Sequence, residues 1–538
     1  MRKLRFICLL TLITSLFSVV TTSAQDVLGL DGSWDLSLND STHYDDYVML
    51  PGSLQSNGKG GSHFVGKAWY RKGVYIPRDW RKKRISLFFE RPHAETIVYV
   101  NGKEIGHQTS RFTPHQYDVT QHLVAGCRNT IVVCVDTSDC SGISGRIELQ
   151  TQPREMSIKK VKINPEPVDG FLQMTVWIDS EHHPVGYFED MVIIIVPEDK
   201  KEEVVFKTTE DVVSRKMDLR IPIGAGFALW DEFSPKLYRM GIRVGDDYYE
   251  TTFGLRMVRS ADKRLSINGR PLWLRGTLEN GFFPKTAYPP ADESSWTDIF
   301  AKVKAYGLNH VRFRSYCPPD AAFAAADKLG VYLLLEGTMT PEEQKSISDA
   351  YGHHPSLVMI TTGDADDVWN CPMITCGQNQ EEPMSCYKQQ IERNLLSKDD
   401  VGFLLPSFDE CSRFPAKDWC EFCSPLVPLA RFQKSDYTTA DTLQVPVEVY
   451  NALYGNISPI RKAYFITEGE RVVTGGALSS DSIPMGKNCV IGTVVCPLDS
   501  ISKPSKLTLT VSIGKEVVNH WDFWVHPEAP KQEDTLNE

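Results

Sequence analysis

Short apolar runs broken by turns fill the chain up to about residue 258 and again from about Pro425. Only the 161 residues from Leu265 to Pro425 depart from that pattern. A two-residue period buries one face of a strand, whereas a helix needs apolar residues every three or four positions. Val74-Tyr75-Ile76 and Ile85-Ser86-Leu87-Phe88-Phe89 have the strand signature. Thr96-Ile97-Val98-Tyr99-Val100 runs straight into Asn101-Gly102, a pair that tolerates the positive φ angles of a two-residue hairpin turn, and Thr130–Val135 repeats the pattern. Residues 27–152 are therefore expected to form a jelly-roll-like β-sandwich. Residues 153–258 have the length of an immunoglobulin-like sandwich, with Val192–Val196 its most apolar strand.

After Arg264 the period changes. A hairpin from Leu265 to Leu274 leads to a helical window, Glu293–Tyr306, then to a strand, Asn309–Phe313. An alanine-rich helix, Ala321–Leu329, precedes strands at Val331–Leu335 and Leu357–Thr361. Alternating strand and helix indicates a parallel α/β unit such as the start of a (β/α)8 barrel. A complete barrel takes about 250 residues, so 259–424 is expected to be a truncated (β/α) TIM-type barrel. Residues 425–528 return to β-runs at Leu443–Tyr450, Lys506–Ile513 and Trp521–Val525, which suit a C-terminal β-sandwich. The expected fold class is multidomain and largely β.

The first residues carry a different signal. Arg2, Lys3 and Arg5 precede an apolar run from Phe6 to Val20, and Thr22-Ser23-Ala24 fits a small-residue cleavage site. Residues 1–24 read as a cleaved export signal, too short for a membrane anchor, and the mature protein as periplasmic or secreted. Losing its three positive charges takes the net charge from −11 to −14. An acidic body of this kind excludes the electrostatic footprint of nucleic-acid or anionic-membrane binding, while neutral sugars remain compatible. Six cysteines fall between Cys371 and Cys423, with spacings Cys371-x4-Cys376 and Cys420-x2-Cys423. Two such pairs could give zinc four thiolates. No tight second CxxC and no nearby His accompany them, so free or disulfide-bonded thiols are expected, with no metal and no organic cofactor.

Several motifs in order then make the pattern specific. Asn101-Gly102-Lys103-Glu104-Ile105-Gly106-His107, Tyr117-Asp118-Val119-Thr120 and Gly66-Lys67-Ala68-Trp69-Tyr70-Arg71 resemble the sugar-binding domain of glycoside hydrolase family 2. Leu229-Trp230, Ser234-Pro235-Lys236-Leu237-Tyr238 and Phe253-Gly254-Leu255-Arg256 are similar to the end of that family's second domain. Ile267-Asn268-Gly269-Arg270-Pro271 and Leu274-Arg275-Gly276-Thr277-Leu278-Glu279 look like its first barrel strand, and Tyr306–Phe313 with Cys317-Pro318-Pro319 its second. The resemblance runs with gaps from about residue 30 to 365, and a weaker similarity continues from Gly402 to Pro527. These residues specify architecture: Trp69, Trp230 and Trp524 are expected in cores or strand packing rather than as sugar platforms.

The resemblance implies a β-linked glycan as partner and hydrolysis of β-galactosides or β-glucuronides as the family reaction. That reaction needs two carboxylates about 5–5.5 Å apart in a retaining enzyme. The family acid/base is the Glu of a Gly-Asn-Glu sequence, and the matching stretch here is Gly363-Asp364-Ala365, so Ala365 stands in its place. Asp364 replaces the sugar-contacting Asn, and Asp364, Asp366 or Asp367 could act as a stand-in acid, with a solvated loop or strand-end cap the simpler reading. The nucleophile belongs on a seventh strand, yet only 36 residues separate Ala365 from Gly402, whose Gly402-Phe403-Leu404-Leu405 resembles the eighth. Arg312 is kept where the family has an arginine, while Arg314 replaces a histidine. Arg275, Glu279, Arg312, Arg314, Glu336 and Asp364 are the candidate substrate contacts, or an ion-pair network capping the strand ends.

The reading is a family 2-like glycan-binding protein with hydrolysis lost. Its alternatives are a residual β-glycosidase using a displaced aspartate or a partner subunit, and a non-catalytic structural or assembly protein. The stretch from Cys371 to Cys423 is expected to cover the strand edges left by the short barrel, as irregular backbone that disulfides could tie. Exported material should begin at Gln25 on N-terminal sequencing, and a retained Met1 would contradict the export signal.

Overall fold

The computed structural model describes residues 25–527 apart from 39, 60–63, 93–94, 138–141, 181–188, 262–263, 282, 284–287, 363–370, 375–383, 398–400, 409–411, 480 and 487. The export signal lies outside the described residues. The chain divides into two compact units, one built from residues up to 258 with 279–300 and 311–364, the other from 259–278, 301–310 and 365 onward.

In the first unit, two antiparallel sheets enclose the core of residues 27–153. One carries strands Val27–Gly29, Gly142–Pro153, Lys83–Arg91 and His115–Asp118. The other runs Asp46–Leu50, Gly32–Leu38, Gly66–Tyr75, Arg128–Thr137, Glu95–Val100 and Lys103–Gln108. Alternate residues of these strands, among them Trp34, Tyr70, Leu87, Phe89, Val98 and Val133, fill the space between the sheets. The turn at Asn101 and Gly102 has φ of 50° and 79°, and Val100 pairs with Lys103 across it, a two-residue primed hairpin. Asn101 Nδ2 also donates to His122 O and Asn129 Oδ1, both at 2.8 Å, so the side chain fixes the turn that its backbone permits. A second pair of sheets follows, three strands over Ser157–Val168, Phe171–Asp179 and Lys216–Pro222 against four over Asp190–Pro197, Phe206–Asp211, Tyr238–Val244 and Asp247–Phe253.

Strand and helix then alternate. The labelled elements are β1 (Leu274–Glu279), α1 (Glu293–Ala305), β2 (His310–Arg314), α2 (Asp320–Leu329), β3 (Tyr332–Glu336), α3 (Pro341–Tyr351), β4 (Leu357–Thr361), α4 (Met384–Leu396), β5 (Gly402–Leu405) and α5 (Ala416–Cys423). In the first unit β2, β3 and β4 are neighbours in that order, and β3 and β4 are parallel. Gly330 ends α2 in the left-handed conformation at φ 69°, a geometry that favours glycine. Thr340 starts α3 with a capping box: its hydroxyl accepts from Glu343 N at 3.2 Å, and Glu343 Oε2 accepts from Thr340 N at 2.9 Å.

Buried polar contacts hold the second sandwich to these helices. Trp230, fully buried, donates from Nε1 to Asp327 O at 2.7 Å, and Arg256 Nε donates to Pro355 O at 2.6 Å. The first sandwich is held by Arg91, at the end of its strand. The buried Arg91 guanidinium donates to the carbonyls of Phe112 and Pro318 and lies 5.2 Å from the Tyr351 ring centroid.

In the second unit β1 and β5 pair in parallel, Leu274 to Gly402 through Thr277 to Leu405, which is the adjacency a first and an eighth strand would have. On β5, Leu404 N donates to Pro372 O at 3.0 Å and its carbonyl accepts from Ile374 N at 2.8 Å, so residues 372–374 add a parallel bridge to that strand. The expectation of irregular backbone across 371–423 needs correction, because α4 and α5 lie within it. Ile391 and Leu395 of α4, and Trp419, Phe422 and Cys423 of α5, fall at helical spacing and are buried. Lys388 of α4 donates to Asn519 Oδ1, and Glu392 accepts from Asn519 Nδ2 and Trp521 Nε1, both at 2.9 Å. That fixes α4 to the strand Val517–His526 of the C-terminal β-region. There, two sheets of three and five strands share a core of Leu443, Val445, Val447, Leu507, Leu509, Phe523 and Val525. Trp524 of the same strand is 45% exposed and stacks on His526 at 6.3 Å, so it packs along the strand and not in the core, where Phe523 and Val525 take the inward positions. Cys386 is disulfide-bonded, and Cys376 and Cys411 lie outside the described residues. No helix among the described residues is long and apolar enough to cross a membrane.

Two measurements test this framework. Replacing Arg91 with Leu leaves two buried carbonyls without their donor, and should cost about 3 kcal/mol in urea unfolding. The buried His354 is the second. Its Nδ1 lies 2.6 Å from Asp327 Oδ2 and its Nε2 3.5 Å from Asp320 Oδ1. Burial works against its charge, but the two aspartates outweigh burial and push its pKa up to about 9. A raised folded value stabilises fully below the unfolded value near 6.5, and that contribution disappears as pH rises through about 9. The stability difference between the unaltered chain and His354→Gln should therefore shrink steadily from pH 6 to pH 10.

Candidate functional site

Residues on β2 alternate between faces, so Arg312 and Arg314 point the same way. Both reach Glu336, the last residue of β3. Arg312, with no exposed surface, places Nη1 3.2 Å from Glu336 Oε2, and Arg314 places Nε 2.9 Å from Oε1. Each oxygen of the carboxylate is thus engaged by a different guanidinium, in charge-assisted bonds. Arg314 keeps 36% of its side chain exposed while the other two are buried, so it is the member of the triad that solvent or a ligand can reach.

The next residue, Ser315, is left-handed at φ 64°, a conformation that costs a non-glycine residue of order 1 kcal/mol and collects at functional strand ends. Its N–H donates to Glu336 O at 2.7 Å, which ties the strained turn to β3. Tyr316 follows, packed edge-on against Phe313 at 5.3 Å. Burial pushes its phenol well above the usual range, and the nearby Glu279 carboxylate raises it further. Glu279 Oε1 accepts from Gly281 N at 2.8 Å.

The sequence-derived candidates therefore separate. Arg312, Arg314 and Glu336 form one triad, and Glu279 sits beside Tyr316. Arg275 belongs to the second unit, where its Nε donates to Gly307 O at 2.7 Å and its N–H to Asn309 Oδ1 at 2.8 Å. That arrangement locks β1 to residues 307–309. Asp364, Ala365, Asp366 and Asp367 lie outside the described residues. No three metal-ligating side chains converge among the described residues.

Sequence reasoning passed over Arg91 and Tyr316. Arg91 Nη2 lies 3.7 Å from Cys317 Sγ, so the sandwich arginine grips the loop that leaves β2 through the site. A signal was present: Glu90-Arg91 breaks the alternation of Ile85–Phe89 with two charged residues, and both are buried. Glu90 accepts from Arg146 Nε at 3.1 Å.

A family model described as the sugar binding domain of glycosyl hydrolases family 2 matches residues 25–149, and one described as a domain of unknown function matches 441–527. A β-galactosidase of Leuconostoc mesenteroides is 24% identical over 303 residues, covering 50% of this chain and 28% of that protein. A β-galactosidase of Thermoanaerobacterium thermosulfurigenes is 27% identical over 301 residues, covering 50% of this chain and 41% of its own. The chain spans about a third of the length of the curated relatives it matches. A β-glucuronidase structure from Bacteroides uniformis covers 94% of this chain and 80% of its own at a TM-score of 0.61 and 14% identity, a likeness of fold. The sugar binding domain of glycosyl hydrolases family 2 is thus matched at the start of the chain, and the chain is similar to β-galactosidases over half of its length.

Proposed function

We propose that this chain is an exported protein that binds β-linked glycans and has lost most or all of the family's hydrolysis. The observation that carries the reading is Ala365. It stands where the family has its acid/base glutamate, and a methyl group has no proton to give. The 36 residues between Ala365 and Gly402 fit poorly with three further strands and their helices, so the α/β segment is read as a truncated barrel without its nucleophile strand. Glu336 is a poor substitute acid, since both its oxygens already accept from arginines. What the triad offers is recognition: Arg314 is fixed in direction by Glu336 and partly exposed, which suits hydrogen bonding to ring hydroxyls.

Aryl β-glycosides should be turned over near background, because each acid–base role alone contributes about 10²–10⁴-fold. Turnover near an ordinary 10 per second would overturn the reading and point to Asp364 or Asp366 as a displaced acid. A glycan array should in parallel show binding to β-linked glycans. Arg314→Met should weaken that binding about tenfold, the worth of one charge-assisted bond.

A further inference from the structure

The second unit holds a cleft remote in sequence from the Arg312–Glu336 triad. Its volume is about 580 Å³, within the usual range for small-ligand sites. The hairpin before β1 contributes Trp273, the C-terminal β-region contributes Arg431, Glu448, Tyr450, Asn488 and Val490, and the end of α4 closes one side. Trp273 and Tyr450, both buried, pack against each other with ring centroids 5.0 Å apart, tilted by 53°, and back the cleft.

The polar wall is built and fixed. Arg431 binds Glu448 in the bidentate manner, Nε to Oε1 at 2.5 Å and Nη2 to Oε2 at 3.1 Å. The pairing holds the guanidinium plane still, and among the described residues Nη1 meets no acceptor. Arg431 keeps 45% of its side chain exposed against 11% for Glu448, so the arginine presents the accessible edge. Asn488 donates from Nδ2 to Leu395 O at 2.9 Å, which orients the amide and leaves Oδ1 as an acceptor among the described residues. Val490 is 63% exposed at the lip.

We propose that this cleft is a non-catalytic binding site for a neutral saccharide of one or two rings. A fully apolar ligand would strip water from the Arg431–Glu448 pair and return nothing for it. An anion gains little from Arg431, which Glu448 already neutralises, and Arg264 is the cleft's other cation. A neutral sugar satisfies both halves: its C–H face covers the exposed Pro271 and Val490, and its hydroxyls accept from Arg431 Nη1 and donate to Asn488 Oδ1. The site stands independently of the triad proposed above, and it gives the C-terminal β-region a ligand-binding role.

The test is calorimetric titration of the full chain with galactose, glucose, xylose, lactose and cellobiose, and with galacturonate and glucuronate as charged counterparts. An Arg314→Met background weakens the triad about tenfold, so binding that survives at full strength is not its own. At least one neutral sugar should still bind that background saturably. Val490→Trp, which fills the lip without entering the core, should weaken this binding at least tenfold. Glu448→Gln releases the charge of Arg431 and should shift preference toward the uronate. If Arg314→Met alone abolishes all binding, the cleft proposal falls and the triad stands. If Arg314→Met changes nothing while Val490→Trp removes binding, the cleft stands and the triad reading falls. Saturable binding that neither Val490→Trp nor Glu448→Gln alters would overturn the cleft.

Discussion

A single buried guanidinium organises the first unit. Arg91 leaves the last position of a sandwich strand and satisfies carbonyls from two places far apart in sequence, Phe112 and Pro318, while its face lies over Tyr351 of α3. Burying a cation costs several kcal/mol unless its donors are occupied, so the chain can place Arg91 here only if all three partners arrive together. The loop 315–318, the 110–113 turn and α3 are thereby held to one register. Ser315, left-handed and strained, sits within that loop, and such strain persists only where the surroundings over-determine it. Arg91 on one side and the carbonyl of Glu336 on the other supply that restraint.

The same logic explains why Arg312 and Glu336 are buried as a pair. Arg312 has no exposed surface and Glu336 almost none, so removing either would strand a buried charge. Both residues hold up the strand ends, whatever else they do. Arg314 is under no such constraint. Its exposure makes it the residue of the three that a ligand can reach.

Local signals were legible where the physics is local. Asn101-Gly102 announces its turn because only such pairs accept two positive φ angles, and the apolar alternation of Gly32–Val135 finds its core directly. Gly402–Leu405 was readable as an eighth strand, and β5 does lie beside β1. What escaped depends on distant partners. Nothing near Arg91 in sequence names Pro318 or Tyr351. The helices α4 and α5 were hidden because their apolar faces are short and interrupted by cysteines and charges. Lys388 and Glu392, which look like solvated residues, are buried against Asn519 and Trp521, more than a hundred residues away. The Arg431–Glu448 and Trp273–Tyr450 pairs likewise come from positions with no motif in common.

Those distant partners also account for how a short α/β segment avoids exposing a bare parallel edge. An open edge invites association unless it is paired or covered. On β5 the side away from β1 is occupied by residues 372–374, whose backbone satisfies both the N–H and the C=O of Leu404. The chain then turns into α4, whose polar face is consumed by the strand Val517–His526, and into α5, which buries Trp419, Phe422 and Cys423. Each step makes a contact with the C-terminal β-region. That region therefore completes the second unit physically. The cleft backed by Trp273 and Tyr450 arises where its strands meet the hairpin that leads into β1, on surface created by the same packing.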